Sequence, residues 1–264
     1  MKYEYAFMGC GNMGGALLTA VARVVDPKKI AACDRDTAKV EAYCVSHGVV
    51  AEQAQKAAKS CRFFVIGVKP QALGAAASEV KAVLSERKDV CLISMVLGAS
   101  IARIKTLFGD LPVIRIMPNT PVLVGKGVTL YTASGVSQED EESFLRDFAQ
   151  SGMLEHVPEA QFDATAALSG CAPAYCYLFL EALADGAVEC GVPRRVAQTL
   201  AAQVMAGSAQ MVETYGSPSD LKDAVCSPGG STIAGVHALE KAGFRGAAMD
   251  AIVAAYQKTL QFKK

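Results

Sequence analysis

This chain of 264 residues has no excess charge of either sign: 26 basic residues balance 26 acidic ones, and charged side chains make up only 20%. Without a basic surplus the electrostatic footprint of a nucleic-acid binder is missing, and a small-molecule partner is favoured. Histidine is scarce as well. His47, His156 and His237 are isolated, so neither a histidine-based metal site nor a Ser-His-Asp triad has anything to build on, and no metal is expected. No phosphate-transfer loop of the Gly-Lys-Ser type occurs. The nine cysteines form no Cys-x-x-Cys pair, are odd in number and mostly fall inside apolar runs, which is the usage of a reduced, cytoplasmic protein. The N-terminus enters a strand-like pattern with Glu4 inside it and lacks the regions of a signal peptide, so no export is expected. The longest strongly apolar uncharged run, residues 164–180, is interrupted by Gly170 and Pro173 and falls short of the roughly 20 residues of a membrane helix. It reads as a buried helical segment. There is no internal repeat and no low-complexity tract.

Apolar residues are plentiful, at 52%, over a length that suits two domains and leaves material for a buried subunit contact. Residues 5–8 form an apolar run entering a glycine-rich turn, and residues 13–24 carry apolar side chains at helical spacing. Residues 30–33 read as a second strand and 37–47 as a helix. Residues 62–68, 90–95 and 113–116 read as fully buried strands, with helices at 71–86 and 100–108 between them. Such an alternation builds a parallel, doubly wound sheet, which strands at 128–132 and 154–157, flanking a helix at 138–150, extend. Beyond Val157 the strand signals stop. Ala-rich segments at 160–170, 174–190, 194–215, 218–225, 231–242 and 245–262 predict an all-helical second domain. Pro193 and Pro218 sit at helix starts, and Gly191, Gly216 and Gly243 at helix ends. The expected domains are residues 1–158, binding a dinucleotide, and residues 159–264, a helical substrate-binding and dimerisation domain.

Gly9-Cys10-Gly11-Asn12-Met13-Gly14 follows the first strand and opens the first helix, the context in which a Gly-x-Gly-x-x-Gly string holds a dinucleotide pyrophosphate. The first glycine makes the turn, the second lets backbone approach the pyrophosphate, and the third allows close packing of helix and sheet. Asp34 ends the second strand, 25 residues past Gly9, where an acid accepts hydrogen bonds from an adenosine ribose and favours NAD. Arg35 beside it can instead pair with the 2′-phosphate of NADP, provided the Asp34 side chain turns away, or it is a solvated surface charge. Val68-Lys69-Pro70-Gln71 and Met117-Pro118-Asn119-Thr120-Pro121 end buried strands on the same carboxyl edge. Each is either a proline-stiffened loop or part of the ligand crevice. Ser227-Pro228-Gly229-Gly230-Ser231-Thr232 runs into the apolar-periodic segment 233–239. It reads either as a helix N-cap after a Gly-Gly turn or as a corner whose free helical N–H groups hold a carboxylate. Glu159 and Asp163, four apart on one helix face, read as solvated, and His237 as a packed or capping residue.

Gly9-x-Gly11-x-x-Gly14, Val68-Lys69-Pro70, the Met117 loop, and Leu168-Ser169-Gly170 with Pro173-Ala174-Tyr175 form one ordered set. With Leu221-Lys222-Asp223 running into Ser227-Pro228-Gly229-Gly230-Ser231-Thr232-Ile233, the set resembles pyrroline-5-carboxylate reductase over nearly the whole chain. The resemblance implies an N-terminal Rossmann domain with a mostly parallel sheet and an all-α C-terminal dimerisation domain. It implies reduction of 1-pyrroline-5-carboxylate to L-proline with NADP (as NADPH), NAD being the second candidate. It further implies a homodimer or ring of dimers in the cytoplasm, with no nucleic-acid or membrane partner. It places Gly9, Cys10, Gly11, Asn12, Met13, Gly14, Asp34, Arg35, Val68, Lys69, Pro70, Met95 and Asn119 on the cofactor, with residues 94–98 near the nicotinamide. Gly230, Ser231 and Thr232 fall on the substrate carboxylate, Glu159 near the substrate, and the Thr232 hydroxyl, as the catalytic group, at the ring nitrogen. The chain departs from the family pattern at Cys171-Ala172, at Val96-Leu97 before Gly98, and at Ala224. Two rivals share the plan: a 3-hydroxyacid-type dehydrogenase with Lys222 or Lys241 as general acid/base, and a non-catalytic dinucleotide-binding regulatory protein.

Overall fold

Strands with large apolar side chains on both faces need helices on both faces. The computed structural model, which describes residues 1–263, meets that need. In chain order it contains β1 (Tyr3–Met8), α1 (Asn12–Val21), β2 (Ile30–Cys33), α2 (Thr37–His47), β3 (Val50–Ala51), α3 (Ala54–Ser60) and β4 (Cys61–Ile66). Next come α4 (Leu73–Ser85), β5 (Cys91–Ser94), α5 (Ile101–Phe108), β6 (Val113–Pro118), β7 (Gly127–Ser134), α6 (Gln138–Phe148) and β8 (Gly152–His156). One sheet has the order β3-β2-β1-β4-β5-β6-β7-β8. On β4, Phe63 and Val65 pack with Leu17, Leu18 and Val21 of α1 and Phe144 and Phe148 of α6. Phe64 and Ile66 point the other way, among Val80 and Leu84 of α4 and Ile104 and Phe108 of α5. Each such side chain contributes roughly 1.5–3 kcal/mol on burial.

Pairings from β3 through β6 are parallel, whereas β7 runs antiparallel to β6 and β8 parallel to β7. The eight residues between Pro118 and Gly127 explain the reversal, since a parallel return needs about a dozen or more. The strand order reverses between β1 and β4, so the loops leaving their carboxyl ends border a crevice suited to a ligand.

The remainder is helical: α7 (Glu159–Glu189), α8 (Arg194–Tyr215), α9 (Pro218–Ala224), α10 (Ser231–Lys241) and α11 (Phe244–Leu260). The chain divides into two units, residues 1–171 with 255–264, and residues 172–254. Contrary to the sequence expectation of two segments, α7 continues through Pro173. The ring there leaves the Ser169 carbonyl without its helical donor. Asn119 replaces it, donating Nδ2–H to that oxygen at 2.9 Å.

In the second unit the buried cluster is made of Ala184, Ala197 and Ala201, with Leu180, Val188 and Val192 partly covered against it. Tyr177, Leu178, Leu200, Val204 and Met249 are exposed. By length and composition α7 is able to cross a membrane, and only 11% of its most apolar window is buried within the chain. The expectation of a buried segment at residues 164–180 is therefore not met by one chain alone: large side chains lie on faces that no neighbouring helix of the same chain covers.

Candidate active site

The three glycines between β1 and α1 have separable duties. Gly9 takes φ +102°, a conformation that L side chains avoid, and a Cβ there would lie 2.7 Å from the backbone of Gly67. A Cβ on Gly14 would overlap the Gly9 carbonyl oxygen, so the third glycine lets α1 begin against the loop. Gly11 differs from both: its Cβ would meet nothing within 4 Å. Gly11 is the N-cap of α1, no side chain caps that end, and the N–H groups of the first turn lack intrahelical acceptors. An open cradle beside free N–H donors is what an anion such as a pyrophosphate requires.

Asp34 at the end of β2 is turned into the loop. Its Oδ2 accepts the Cys10 N–H at 2.7 Å and its Oδ1 the Asp36 N–H at 3.0 Å, while Arg35 is exposed. The Cys10 thiol is buried, and burial, reinforced by the Asp34 charge, pushes it up to about 12. It therefore stays neutral at physiological pH and adds no negative charge beside the open N-terminus of α1.

Val68, Lys69 and Pro70 follow β4 on the same edge but lie just past the strand, which ends at Ile66. Met95 donates its N–H to the Ile66 carbonyl at 3.1 Å, and its Sδ would be 3.4 Å from a Cβ on Gly67, continuing the wall of the crevice. Asn119 is buried. Its Oδ1 accepts the Val128 N–H at 2.8 Å while its Nδ2 serves the Ser169 carbonyl, so its amide braces the loop after β6 against α7.

The reading of Glu159 and Asp163 as a solvated face is corrected for Asp163 and holds for Glu159, which is exposed. Asp163 is buried and binds Arg115 Nη2 at 2.5 Å, while Glu159 Oε1 accepts the Ile101 N–H at 2.7 Å and lies 3.5 Å from Arg115 Nη1. Arg115 is 2% exposed and stacks 4.2 Å from the Phe162 ring centroid. A buried guanidinium needs carboxylates, and α7 brings two of them, one turn apart, onto β6. With Gly98, Ser100 and Arg103 these groups line a cavity of about 230 Å³.

In the second unit Ser227-Pro228-Gly229-Gly230 forms a turn, with Gly230 N–H bonded to the Ser227 carbonyl at 3.0 Å and Gly229 at φ +70°. Gly230, not a hydroxyl residue, is the N-cap of α10, and no side chain caps the helix. The N-cap reading therefore holds with glycine in the capping place; Ser231 and Thr232 already lie in the first turn, and no side chain bonds its N–H groups.

Residues 159–262 match the family described as pyrroline-5-carboxylate reductase dimerisation, and residues 4–98 match NADP oxidoreductase, coenzyme F420-dependent. Pyrroline-5-carboxylate reductase of Escherichia coli is 38% identical over 270 aligned positions, covering all of both chains. The chain belongs to the pyrroline-5-carboxylate reductase family. Among solved structures, the pyrroline carboxylate reductase of Plasmodium falciparum with NADP bound superposes with a TM-score of 0.87 at 30% identity, and the pyrroline-5-carboxylate reductase of Coxiella burnetii with 0.90 at 30%. Both align over the full length of both chains.

Three features of this pyrroline-5-carboxylate reductase family member lie outside the motifs. Arg115 was legible as a lone charge inside the apolar strand VIRIMP, which demands a buried partner. Gly67, whose Cβ would sit 2.8 Å from the Gly9 oxygen, was hidden inside what looked like a longer strand. The bond from Asn119 across the Pro173 gap joins residues 50 apart in sequence, and no local pattern announces it.

Proposed function

We propose that the protein reduces 1-pyrroline-5-carboxylate to L-proline, the last step of proline biosynthesis, with NADPH as its hydride donor. The observation that carries this reading is the uncapped first turn of α10 behind the Ser-Pro-Gly-Gly turn, a carboxylate site on a chain that already has a second anion cradle at Gly11. Gly9, Cys10, Gly11, Asn12, Met13 and Gly14 hold the pyrophosphate, and Arg35 pairs with the 2′-phosphate. Asp34 allows this because both of its oxygens are turned to loop N–H groups. Val68, Lys69, Pro70 and Met95 wall the crevice, with Asn119 fixing the loop beside them. When bound, the cofactor supplies a hydride to the C=N carbon.

Gly230, Ser231 and Thr232 offer backbone N–H groups to the substrate carboxylate, and the Thr232 hydroxyl orients the ring nitrogen. That nitrogen arrives protonated and keeps its proton as the amine of proline, so Thr232 need not act as a strong acid. Placement and electrostatics suffice. Residues 1–158 form the cofactor domain and residues 159–264 the substrate and dimerisation domain. The exposed apolar side chains of α7 and α8 are covered by a second copy, as a homodimer or a ring of dimers, in the cytoplasm and not in a lipid bilayer. The dehydrogenase reading is disfavoured at Lys222, the first of its two candidate lysines. Hydrogen bonding to Asp223, at 2.6 Å, holds the Lys222 ammonium above its usual range, the wrong direction for a general base.

The test is the initial rate of NADPH and, separately, NADH oxidation with racemic 1-pyrroline-5-carboxylate, for wild type and Thr232→Ala. Turnover with NADPH ahead of NADH, collapsing in Thr232→Ala while NADPH still binds, is the expected result. Folded protein that binds NADPH and leaves the imine untouched would overturn the reading.

A further inference from the structure

We infer that Glu159 is a positioning residue that fixes the loop joining β5 to α5, residues 95–100, and that the C-terminal turn at Phe262 is the second clamp on the same loop. The inference deepens the cofactor reading above, on which it rests for the identity of the bound dinucleotide. The loop itself is placed by contacts within the first unit: Met95 is bonded to β4 through the Ile66 carbonyl and lies against Gly67, which in turn sits on Gly9. Whatever moves residues 95–100 moves one wall of the crevice.

Within the loop the bonds are long, Val96 N–H to Ser94 Oγ at 3.4 Å and Ala99 N–H to the Val96 carbonyl at 3.2 Å, while Ser100 Oγ accepts the Arg103 N–H at 3.2 Å. The strongest tie comes from outside it. Glu159 Oε1 accepts the Ile101 N–H at 2.7 Å, a charge-assisted bond at the positive end of α5. The carboxylate is itself held 3.5 Å from Arg115 Nη1, and Arg115 is immobilised by Asp163 and the Phe162 ring. Moving Glu159 Oε1 onto a substrate would strip the first N–H of α5 and draw the carboxylate away from the buried Arg115, a poor arrangement for a ligand group. At the other side Gly98 takes φ +75°, and a Cβ there would lie 2.9 Å from both the Cβ and the carbonyl oxygen of Phe262. Glycine is needed at Gly98 because the C-terminal turn presses on it. Glu159 opens α7 and Phe262 lies in the turn after α11, so the start of the helical segment and its closing turn both bear on this one loop.

The assay measures the Kd of NADPH from the change in its own fluorescence on full-length protein, with the KM of the imine alongside. Glu159→Ala is expected to raise the NADPH Kd about tenfold, the loss of one charge-assisted hydrogen bond, with the imine KM within about twofold of wild type. Glu159→Gln, which keeps the Oε1 acceptor, restores most of the affinity. Removing residues 261–264 shifts the NADPH Kd in the same direction. If Glu159→Ala fails to fold, Ile101→Pro removes the donor instead. Ser100 precedes it with extended φ −69° and ψ 161°, and proline is accepted at a first helical position, so the α5 start is preserved. A higher imine KM with an unchanged NADPH Kd would make Glu159 a substrate ligand and overturn the inference. So would a Glu159→Gln variant no better than Glu159→Ala. Because the Kd is read without turnover, inactivity on the imine would defeat the proposed reaction and leave this comparison standing, whereas a wild type that binds no NADPH would defeat the loop assignment.

Discussion

Phe63 and Phe64 in the first unit are wholly buried on opposite faces of one strand, whereas Tyr177 and Leu178, of similar bulk, stand 58% and 67% exposed on α7 in the second. The first unit fills its interior with Tyr5, Phe7, Phe108, Phe144 and Phe148 around the sheet; the second buries alanines and displays leucines, valines and tyrosines. A sheet with helices on both faces closes its own core. Helices whose large residues point outward need a surface the single chain does not supply, and an apolar face of that size marks an interface. The difference teaches that the first unit, with the glycine loop, is complete in itself, while the second, matched by a dimerisation family, displays an apolar face that self-association can cover.

The comparison breaks most visibly at Leu178. Leu178→Asp places an unpaired charge in the face expected to be covered, and should lower turnover by about 100-fold or more and yield monomers in sedimentation velocity. NADPH binding by the first unit should stay within about threefold of wild type. An oligomeric, active Leu178→Asp protein would mean that the exposed face has no subunit to meet. Next in size is the contrast within the glycine loop. Gly11→Val fills space that no protein atom occupies, so the NADPH Kd should rise on the order of 100-fold at an unchanged melting temperature. Gly14→Ala meets the Gly9 carbonyl and should instead lose about 1–3 kcal/mol of stability before any effect on affinity is read. Equal stability losses in the two variants would erase the distinction between a ligand cradle and a packing contact.

Much of this was legible from the order of residue types alone. The run RFFVIGV announces a buried strand, the glycine string after β1 announces a tight turn into a helix, and the proline and glycine punctuation of the second unit marks its helix ends. What was not legible depends on partners distant in sequence. Asp163 looked solvated because the charge that buries it, Arg115, lies on a strand 48 residues earlier. Pro173 looked like a break because the donor that replaces its missing N–H comes from Asn119. The start of α10 looked like an ordinary cap because Ser, Thr and Gly all cap helices, and only the backbone reveals that Gly230 takes the position and leaves the first turn open.

Asn119 offers a smaller, sharper test of how the first unit completes itself. Asn119→Ala leaves the Ser169 carbonyl and the Val128 N–H without their side-chain partner, and should destabilise the protein by about 1–3 kcal/mol in urea unfolding. Asn119→Asp keeps the acceptor for Val128 but lacks the donor for Ser169, so the difference between the two variants isolates the bond that carries α7 across Pro173.

The smallest expected effect lies in the pH dependence of the cofactor loop. Burial raises the Cys10 thiol from an ordinary value of 9 to about 12 in the folded protein. Below pH 9 both folded and unfolded chains keep the proton, and the thiol contributes its full stability. Above pH 9 the unfolded chain releases it while the folded chain holds it, so stability falls with rising pH until the folded group titrates near 12. Cys10→Ala lacks this dependence, whereas the other buried thiols, raised in the same way at Cys33, Cys61 and Cys91, are common to both proteins and cancel in the difference. The stability gap between wild type and Cys10→Ala should therefore be flat from pH 7 to 8 and shift by about 1.4 kcal/mol in favour of the variant by pH 10. A gap that stays constant through pH 10 would mean that the thiol beside Gly11 is reached by solvent, and the loop less closed around it than the bond from Asp34 to the Cys10 N–H implies.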